Sequence, residues 1–233
     1  MTSKKKIVVL SGAGISAESG VKTFRDDNGL WEGHDVMKVA SPQGWADDMD
    51  LVLDFYNQRR KQAREVKPNQ GHQEIANLEE DFEVSIVTQN VDNLHERAGS
   101  TRVMHLHGEL FKSRSTVDET LVYDMDGWEL KKGDLCEKGS QLRPHIVWFG
   151  EMVPLMDEAI VEAQSADVFI VVGTSLAVYP AAGLIHHVKP GTPMFVIDPN
   201  LPDLPTLANL TTIEEGGGTG MTRVAEIVRQ KYK

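Results

Sequence analysis

Several short stretches of this 233-residue chain carry residue types that can do chemistry on a ligand. Gly12-Ala13-Gly14-Ile15-Ser16 follows the apolar run 7–10 and leads into a helix start, a strand–glycine turn–helix pattern. Such a turn lets the backbone approach a pyrophosphate, whose charge the helix N–H groups and dipole favour. The same turn also serves tight strand-to-helix packing, and the third glycine of the usual dinucleotide fingerprint is missing. Gln89-Asn90-Val91-Asp92 follows the apolar run 84–87, at the carboxyl end where open α/β sheets bind ligands. Amide and carboxylate groups there can hold a carboxamide, although Asn90 alone also reads as a helix N-cap. His107 ends a third run, just before Gly108. Its ordinary pKa makes a histidine the easiest general base near neutral pH. Most histidines at strand ends are structural, and His72, His95, His105 and His145 are read that way. Gly173-Thr174-Ser175 puts small residues and hydroxyls at a further strand end, suited to phosphate or ribose.

These stretches need a scaffold. Apolar, β-branched runs at 7–10, 84–87, 103–106, 145–149, 168–172 and 194–197 are short and mostly unalternating, as in strands covered on both faces. Helical stretches at 16–19, 49–64, 70–80, 91–98, 154–164, 181–188 and 221–232 separate or follow them. A mostly parallel sheet with crossover helices is the economical assembly, so the fold class is α/β. Residues 25–68 have no strand signal, and residues 111–142 are polar and turn-rich. Both read as insertions forming a small second domain over the sheet's edge, with a ligand cleft between the domains.

Composition narrows the function classes. With 40% hydrophobic and 25% charged residues the chain is ordinary globular material, and no apolar run reaches the ~20 residues of a membrane span. A net charge of −11 argues against duplex nucleic acid as a general partner. A single cysteine, Cys136, excludes an intramolecular disulfide framework and fits a reducing compartment. The charged start has no secretory apolar core, so a cytoplasmic location is expected.

Taken in order, Gly12 to Gly20, Thr23-Phe24-Arg25, Gly29-Leu30-Trp31, Thr88 to Asp92, His105-Leu106-His107-Gly108, Arg143 to Glu151, Gly173 to Leu176 and Val178 to Ala181 resemble the sirtuin (Sir2-type) family. The resemblance runs from about residue 7 to 228 and implies a Rossmann-type domain (about 1–24, 69–110 and 143–233) carrying a small inserted domain (about 25–68 and 111–142). It also implies an NAD-dependent protein-lysine deacylase acting on acyl-lysine proteins or peptides, with NAD as co-substrate. By resemblance, NAD is held by Gly12, Ala13, Gly14, Ser16, Ala17, Phe24, Arg25, Trp31, Gln89, Asn90 and Asp92, and by Gly173, Thr174, Ser175, Asp198, Asn200 and Gly217. Asn90 and Asp92 would seat nicotinamide, with Asn90 counted among the catalytic residues. His107 would be the base that activates a ribose hydroxyl to capture the acyl carbon, giving free lysine, nicotinamide and O-acyl-ADP-ribose. Val147, Phe149, Gly150, Glu151 and Val178 would clamp the peptide as an added strand, though the first of these segments also reads as a core strand.

Two further features subdivide the family. Tyr56 and Arg59 are spaced i, i+3 on one helix. Periodicity alone favours a helix whose Arg59 and Arg60 point to water. Tyr-x-x-Arg together with Ala40, however, resembles the bacterial, desuccinylase-like class, in which the alanine opens the acyl pocket and Tyr and Arg take a distal carboxylate. A guanidinium holds a carboxylate bidentately, and a phenol adds a third bond. Succinyl- and malonyl-lysine are then expected substrates beside acetyl-lysine. The second feature is a departure. The family normally has four zinc-binding cysteines, whereas residues 108–142 hold Cys136 and no histidine. Asp118, Asp124, Asp126 and Glu137 are poor substitutes for the missing ligands. No zinc is expected, and Leu121, Tyr123, Trp128 and Leu135 should hold the segment by packing. Asp198 replaces the family's usual asparagine, and Val21-Lys22-Thr23 replaces its Ile-Pro pair. An NAD-cleaving or ADP-ribosyl-transferring enzyme and a non-catalytic NAD or ADP-ribose sensor are the alternatives. Retention of His107 and of the peptide-clamp residues favours the deacylase.

Overall fold

The computed structural model describes residues 4–21, 30–31, 33–202 and 209–233, residues 30 and 31 in backbone only. Strands are β1 (Lys6–Ser11), β2 (Leu30–Trp31), β3 (His34–Asp35), β4 (Glu83–Thr88), β5 (Val103–His105), β6 (Gly108–Ser115), β7 (Val122–Asp124), β8 (Leu142–Ile146), β9 (Val168–Val172), β10 (Met194–Ile197) and β11 (Leu210–Ile213). Helices are α1 (Val36–Val39), α2 (Pro42–Asp47), α3 (Met49–Glu65), α4 (Gln70–Asn77), α5 (Leu94–Ala98), α6 (Met156–Ser165) and α7 (Gly217–Tyr232). Tighter 3-10 turns cover Ala13–Ser19, Leu78–Glu80 and Ala181–His187.

The fold is α/β. Its main sheet runs β11-β10-β9-β1-β4-β5 with every pair parallel. The chain starts in the middle, winds outward through β4 and β5, then returns to β9 on the other side of β1. This is the doubly wound Rossmann-type order, and its reversal point lies between β1 and β9. The unalternating strands explain themselves by burial. Ile7, Val9, Ile86 and Ile170 face α4 and α7, while Val8, Leu10, Val87, Phe169 and Val171 face α6 and the Ala181–His187 turn. A third cluster joins α1 and α3 to β6 and β8 through Val39, Phe55, Tyr56, Leu110, Ile146 and Trp148.

Beside the parallel sheet stands an antiparallel one, β7-β6-β8. Here the structure corrects several expectations. The apolar run 145–149 is no member of the parallel sheet: the strand there is Leu142–Ile146, antiparallel to β6. Pro144, which has no N–H to give a ladder, is accommodated because β8 is an edge strand. β6 and β7 lie within or beside a stretch read as polar and turn-rich, since Lys112, Arg114 and Asp124 mask the apolar pattern of a sheet with one wet face. β11 (Leu-Thr-Thr-Ile) escaped for the same reason, with Thr211 and Thr212 exposed at the edge of the parallel sheet. The short antiparallel pair β2–β3 interrupts a region read as having no strand signal. Helix α7 also begins four residues earlier than expected, among the glycines from Gly217.

Candidate active site

The carboxyl ends of β1, β4, β9 and β10 and the turn after β5 open on one cavity of about 520 Å³ at the reversal point of the sheet. Gly12, Ala13, Gly14, Ser16 and Ala17 line it after β1, and Gln89, Asn90 and Asp92 after β4. His107 lines it after β5, Gly173, Thr174 and Ser175 after β9, Asp198 and Asn200 after β10, and Gly217 at the start of α7. Ala40, Arg59, Val147, Phe149, Gly150, Glu151 and Val178 complete the wall. Phe24 and Arg25 lie outside the described residues, as does the side chain of Trp31.

The two readings of the glycine turn are both at work. A Cβ on Gly14 would stand 2.7 Å from Gly173 Cα, and one on Gly12 would stand 2.7 Å from Thr174 Cβ. Gly173 itself has φ +65°. The Gly14 N–H donates to Gly173 O at 2.8 Å, so the two strand-end turns are bolted to each other. Close packing therefore requires these glycines, and the same turn lines the cavity.

The polar residues are pre-set by one another. Gln89 Nε2 donates to Thr174 Oγ1 at 3.0 Å, tying the β4 end to the β9 end. Asn90 Nδ2 donates to Ser16 Oγ at 3.2 Å, and Ser16 Oγ donates to Asp92 Oδ2 at 3.3 Å. Asp92 also accepts from Leu94 N–H at 3.0 Å, yet burial pushes its carboxyl above the ordinary range. Asn90 is no simple N-cap, since the α5 cap position is Asn93. Behind this layer His72 and His95 are buried with ring centroids 4.9 Å apart. Burial lowers His72 to about 4, so it stays neutral at any working pH.

His107 Nδ1 lies 3.0 Å from Gln89 O. A carbonyl only accepts, so Nδ1 carries the proton and Nε2 is left as the basic nitrogen. Burial holds the ring below its ordinary pKa against that hydrogen bond, which keeps it a neutral base at neutral pH. On the loop after β8, Glu151 takes Arg143 at 2.6 and 3.1 Å, Arg114 at 3.1 Å and the Trp148 N–H at 2.8 Å. Its carboxylate thus stiffens the loop. Phe149 N–H anchors that loop to Ala40 O at 2.9 Å.

Helix α3 separates its two arginines. Arg59 lines the cavity beside Gln62, to which its Nη1 donates at 3.4 Å. Arg60 does not point to water. It is fully buried and donates to Trp128 O, Leu110 O and Asn57 Oδ1 at 2.7, 3.3 and 2.8 Å. Tyr56 shares the helix with Arg59 but does not line the cavity. It is fully buried, and its hydroxyl accepts from Trp148 Nε1 at 3.1 Å. Sequence reasoning missed Glu18, Gln62, Leu110 and Trp148 as cavity residues. Glu18 and Trp148 sit inside motifs already singled out, and Gln62 lies one turn beyond Arg59 on α3.

Among the described residues no three or more His, Cys, Asp or Glu side chains converge where they could hold a metal ion. Of the residues expected to hold the cysteine-bearing segment by packing, Leu121, Tyr123 and Trp128 are half-buried, whereas Leu135 is 56% exposed. Leu130 and Cys136 are buried instead.

The Sir2 family pattern matches residues 12–180. An NAD-dependent protein deacylase of Helicobacter pylori is 56% identical over 213 residues, covering 91% of this chain and 92% of its own. Another, from Bacteroides thetaiotaomicron, is 48% identical over 229 residues, covering 96% and 98%. A Sir2 homologue solved in complex with NAD superposes with a TM-score of 0.87 at 39% identity, covering 99% of this chain and 91% of that one.

Proposed function

Since the chain belongs to the Sir2 family and is an NAD-dependent protein-lysine deacylase, we propose that its acyl pocket takes acidic acyl groups, succinyl and malonyl, with acetyl removed alongside. The observation that carries this reading is the placement of Arg59. Of two adjacent arginines on α3, one is locked into the protein's interior and the other lines the cavity, on the same wall as Ala40. A guanidinium there meets a distal carboxylate with charge-assisted hydrogen bonds, which acetyl-lysine lacks. Tyr56 supports the pocket from behind through Trp148, whose Nε1 donates to its hydroxyl.

In this reading the strand ends hold NAD, the glycine turn of residues 12–14 facing the pyrophosphate and Asp198 the adenosine ribose. Asn90 and Asp92 seat the nicotinamide carboxamide. The acyl oxygen attacks ribose C1′ as nicotinamide departs. His107 Nε2 then takes the proton of a ribose hydroxyl, which attacks the acyl carbon; lysine takes up a proton and is expelled as the amine, and a water adds to the acyl carbon as its bond to the C1′ oxygen breaks, giving O-acyl-ADP-ribose. The loop 147–151 and Val178 receive the peptide main chain. We assign residues 1–24, 69–110 and 143–233 to the Rossmann-type domain, and residues 25–68 and 111–142 to the small one. A location in the cytoplasm accords with the single cysteine, and no helix among the described residues is long and apolar enough to cross a membrane. The net charge of −11 argues against nucleic acid as a partner.

The test is mass spectrometry of matched succinyl-, malonyl- and acetyl-lysine peptides with and without NAD. The expected result is NAD-dependent loss of all three groups, with kcat/KM higher for the acidic two. Preference for acetyl-lysine would overturn the pocket assignment.

A further inference from the structure

His105 and His107 flank Leu106 where β5 ends, and their rings act on neighbouring peptide groups. His105 Nδ1 lies 2.8 Å from Asn90 O, and His107 Nδ1 lies 3.0 Å from Gln89 O. The Leu106 N–H between them donates to Thr88 O at 2.9 Å. Three successive carbonyls leaving β4 are thus gripped by three successive residues leaving β5. Carbonyls only accept, so both Nδ1 atoms carry protons. The rings differ at the other nitrogen. His107 lines the cavity, whereas His105 Nε2 lies 2.7 Å from Glu96 Oε1 on α5. An ionised carboxylate also only accepts, so His105 must hold a proton on each nitrogen. Two histidines in nearly the same backbone setting are therefore kept in opposite charge states.

We propose that His105, kept cationic by Glu96, is a positioning residue for the nicotinamide seat: it fixes the Asn90 peptide group and with it the directions of Asn90 and Asp92. The inference rests on the reading of Asn90 and Asp92 as that seat. The Asn90 main chain is held on both sides of its Cα, the N–H by Thr88 Oγ1 at 3.0 Å and the carbonyl by His105. Its side chain then reaches Asp92 through Ser16. The charged and titratable groups facing His105 are Glu96 and His95 of α5, Asp92 just before that helix, and Glu109 of β6. Lys112 pairs with Glu109 at 2.8 Å and reaches Glu96 through charge, whereas His105 is hydrogen-bonded to Glu96. Burial pushes His105 down, but the Glu96 hydrogen bond and charge outweigh it and hold the ring above its ordinary pKa. Burial pushes Glu96 up, and its bond to His105 brings it below the usual carboxylate range. The pair is whole across neutral pH and breaks as pH rises through the raised value of His105. A lone pair on Nε2 would then face the carboxylate, and the grip on Asn90 would slacken.

The experiment is the pH profile of kcat/KM for NAD at saturating acyl-peptide, for the intact enzyme, Glu96→Gln and His105→Gln. Glu96 is partly exposed, so Glu96→Gln should fold; circular dichroism verifies that. In Glu96→Gln the alkaline fall should move down by about one pH unit, the size of shift neighbouring charges commonly produce. The acid limb, set by His107, should stay in place. At neutral pH both variants should raise KM for NAD roughly tenfold, with peptide KM unchanged, as expected when reacting groups are held slightly askew. An unmoved alkaline limb in Glu96→Gln, or equal rises in both KM values, would overturn the proposal. Asn90→Ala separates the two readings. If it keeps full activity, the nicotinamide seat is misassigned. If it is crippled while Glu96→Gln matches the intact enzyme, the His105 proposal alone falls.

Discussion

Along the ends of β1 and β9 the cavity wall is backbone. Gly12 and Gly14 press against Gly173 and Thr174 with no room for a methyl group, and a main-chain hydrogen bond joins the turns. On the α3 and β8 side the wall is side chain, made of Arg59 and Trp148 over a packed layer of Tyr56 and Arg60. The first wall offers close backbone approach and a fixed shape, which suit a ligand common to every turnover. The second offers a charge and a size limit, which can be altered residue by residue without disturbing the sheet. The difference implies that mutations on the strand-end wall should cost stability as well as activity. Those on the α3 wall should change selectivity alone.

The largest effect sharpens this by falling on neither wall's packing. His107→Ala should lower deacylation on the order of 10²–10⁴-fold while the melting temperature moves little, because the residue contributes a basic nitrogen and one hydrogen bond to Gln89 O. In the intact enzyme the rate should fall as pH drops through the depressed pKa of His107, where the base becomes protonated. Near-normal turnover by the variant would remove His107 from the chemistry. Arg59→Met comes next. Desuccinylation should fall by tens to thousands of fold, since losing one partner of a desolvated charge pair costs about 2–5 kcal/mol. Deacetylation should change little. Parallel loss on both substrates would make Arg59 a structural residue and erase the contrast between the walls.

Gly14→Ala probes the other wall. Its methyl would have to displace the Gly173 backbone, a strain worth about 1–3 kcal/mol, and the melting temperature should drop by several degrees. NAD-dependent rates on succinyl and acetyl peptides should fall together. A stable Gly14→Ala enzyme with altered acyl preference would reverse the assignment of the walls.

How much of this the sequence disclosed depended on what each signal was made of. Strands buried on both faces announce themselves as unbroken apolar runs, and β1, β4, β9 and β10 were legible for that reason. The strand-end motifs were ambiguous singly, since a glycine turn also serves packing and Asn90 also reads as an N-cap, and became legible as an ordered series resembling one family. β6 and β7 were not, since Lys112 and Arg114 interrupt β6 and only Val122 and Tyr123 mark β7. The opposite fates of Arg59 and Arg60 were also invisible. Neighbours on a helix point about 100° apart, and which of them is interior depends on acceptors such as Trp128 O, brought from 68 residues away. The partnership of His105 with Glu96 likewise becomes visible only when β5 and α5 are placed side by side.

The smallest expected effect is none at all, and it concerns the segment that carries Cys136. A structural zinc contributes on the order of 10 kcal/mol or more to the folding of its module, so its removal is conspicuous. The segment has protein fastenings of its own. Asn57 on α3 both donates to Leu130 O at 3.0 Å and accepts from Leu130 N–H at 2.9 Å, while Arg60 holds Trp128 O. Gln141 accepts from Gly133 N–H at 2.8 Å and donates to Lys131 O at 3.0 Å, closing the turn around Cys136. The thiol sits 3.4 Å from Ser115 Oγ, a contact a serine can keep. A chelator should therefore leave the melting temperature unchanged, metal analysis of the purified enzyme should find far less than one zinc per chain, and Cys136→Ser should melt within a few degrees of the parent. Asn57→Ala, which removes both bonds to Leu130, should lower the melting temperature by more than Cys136→Ser does. Stoichiometric zinc, or unfolding by the chelator, would show that a metal rather than α3 holds this segment.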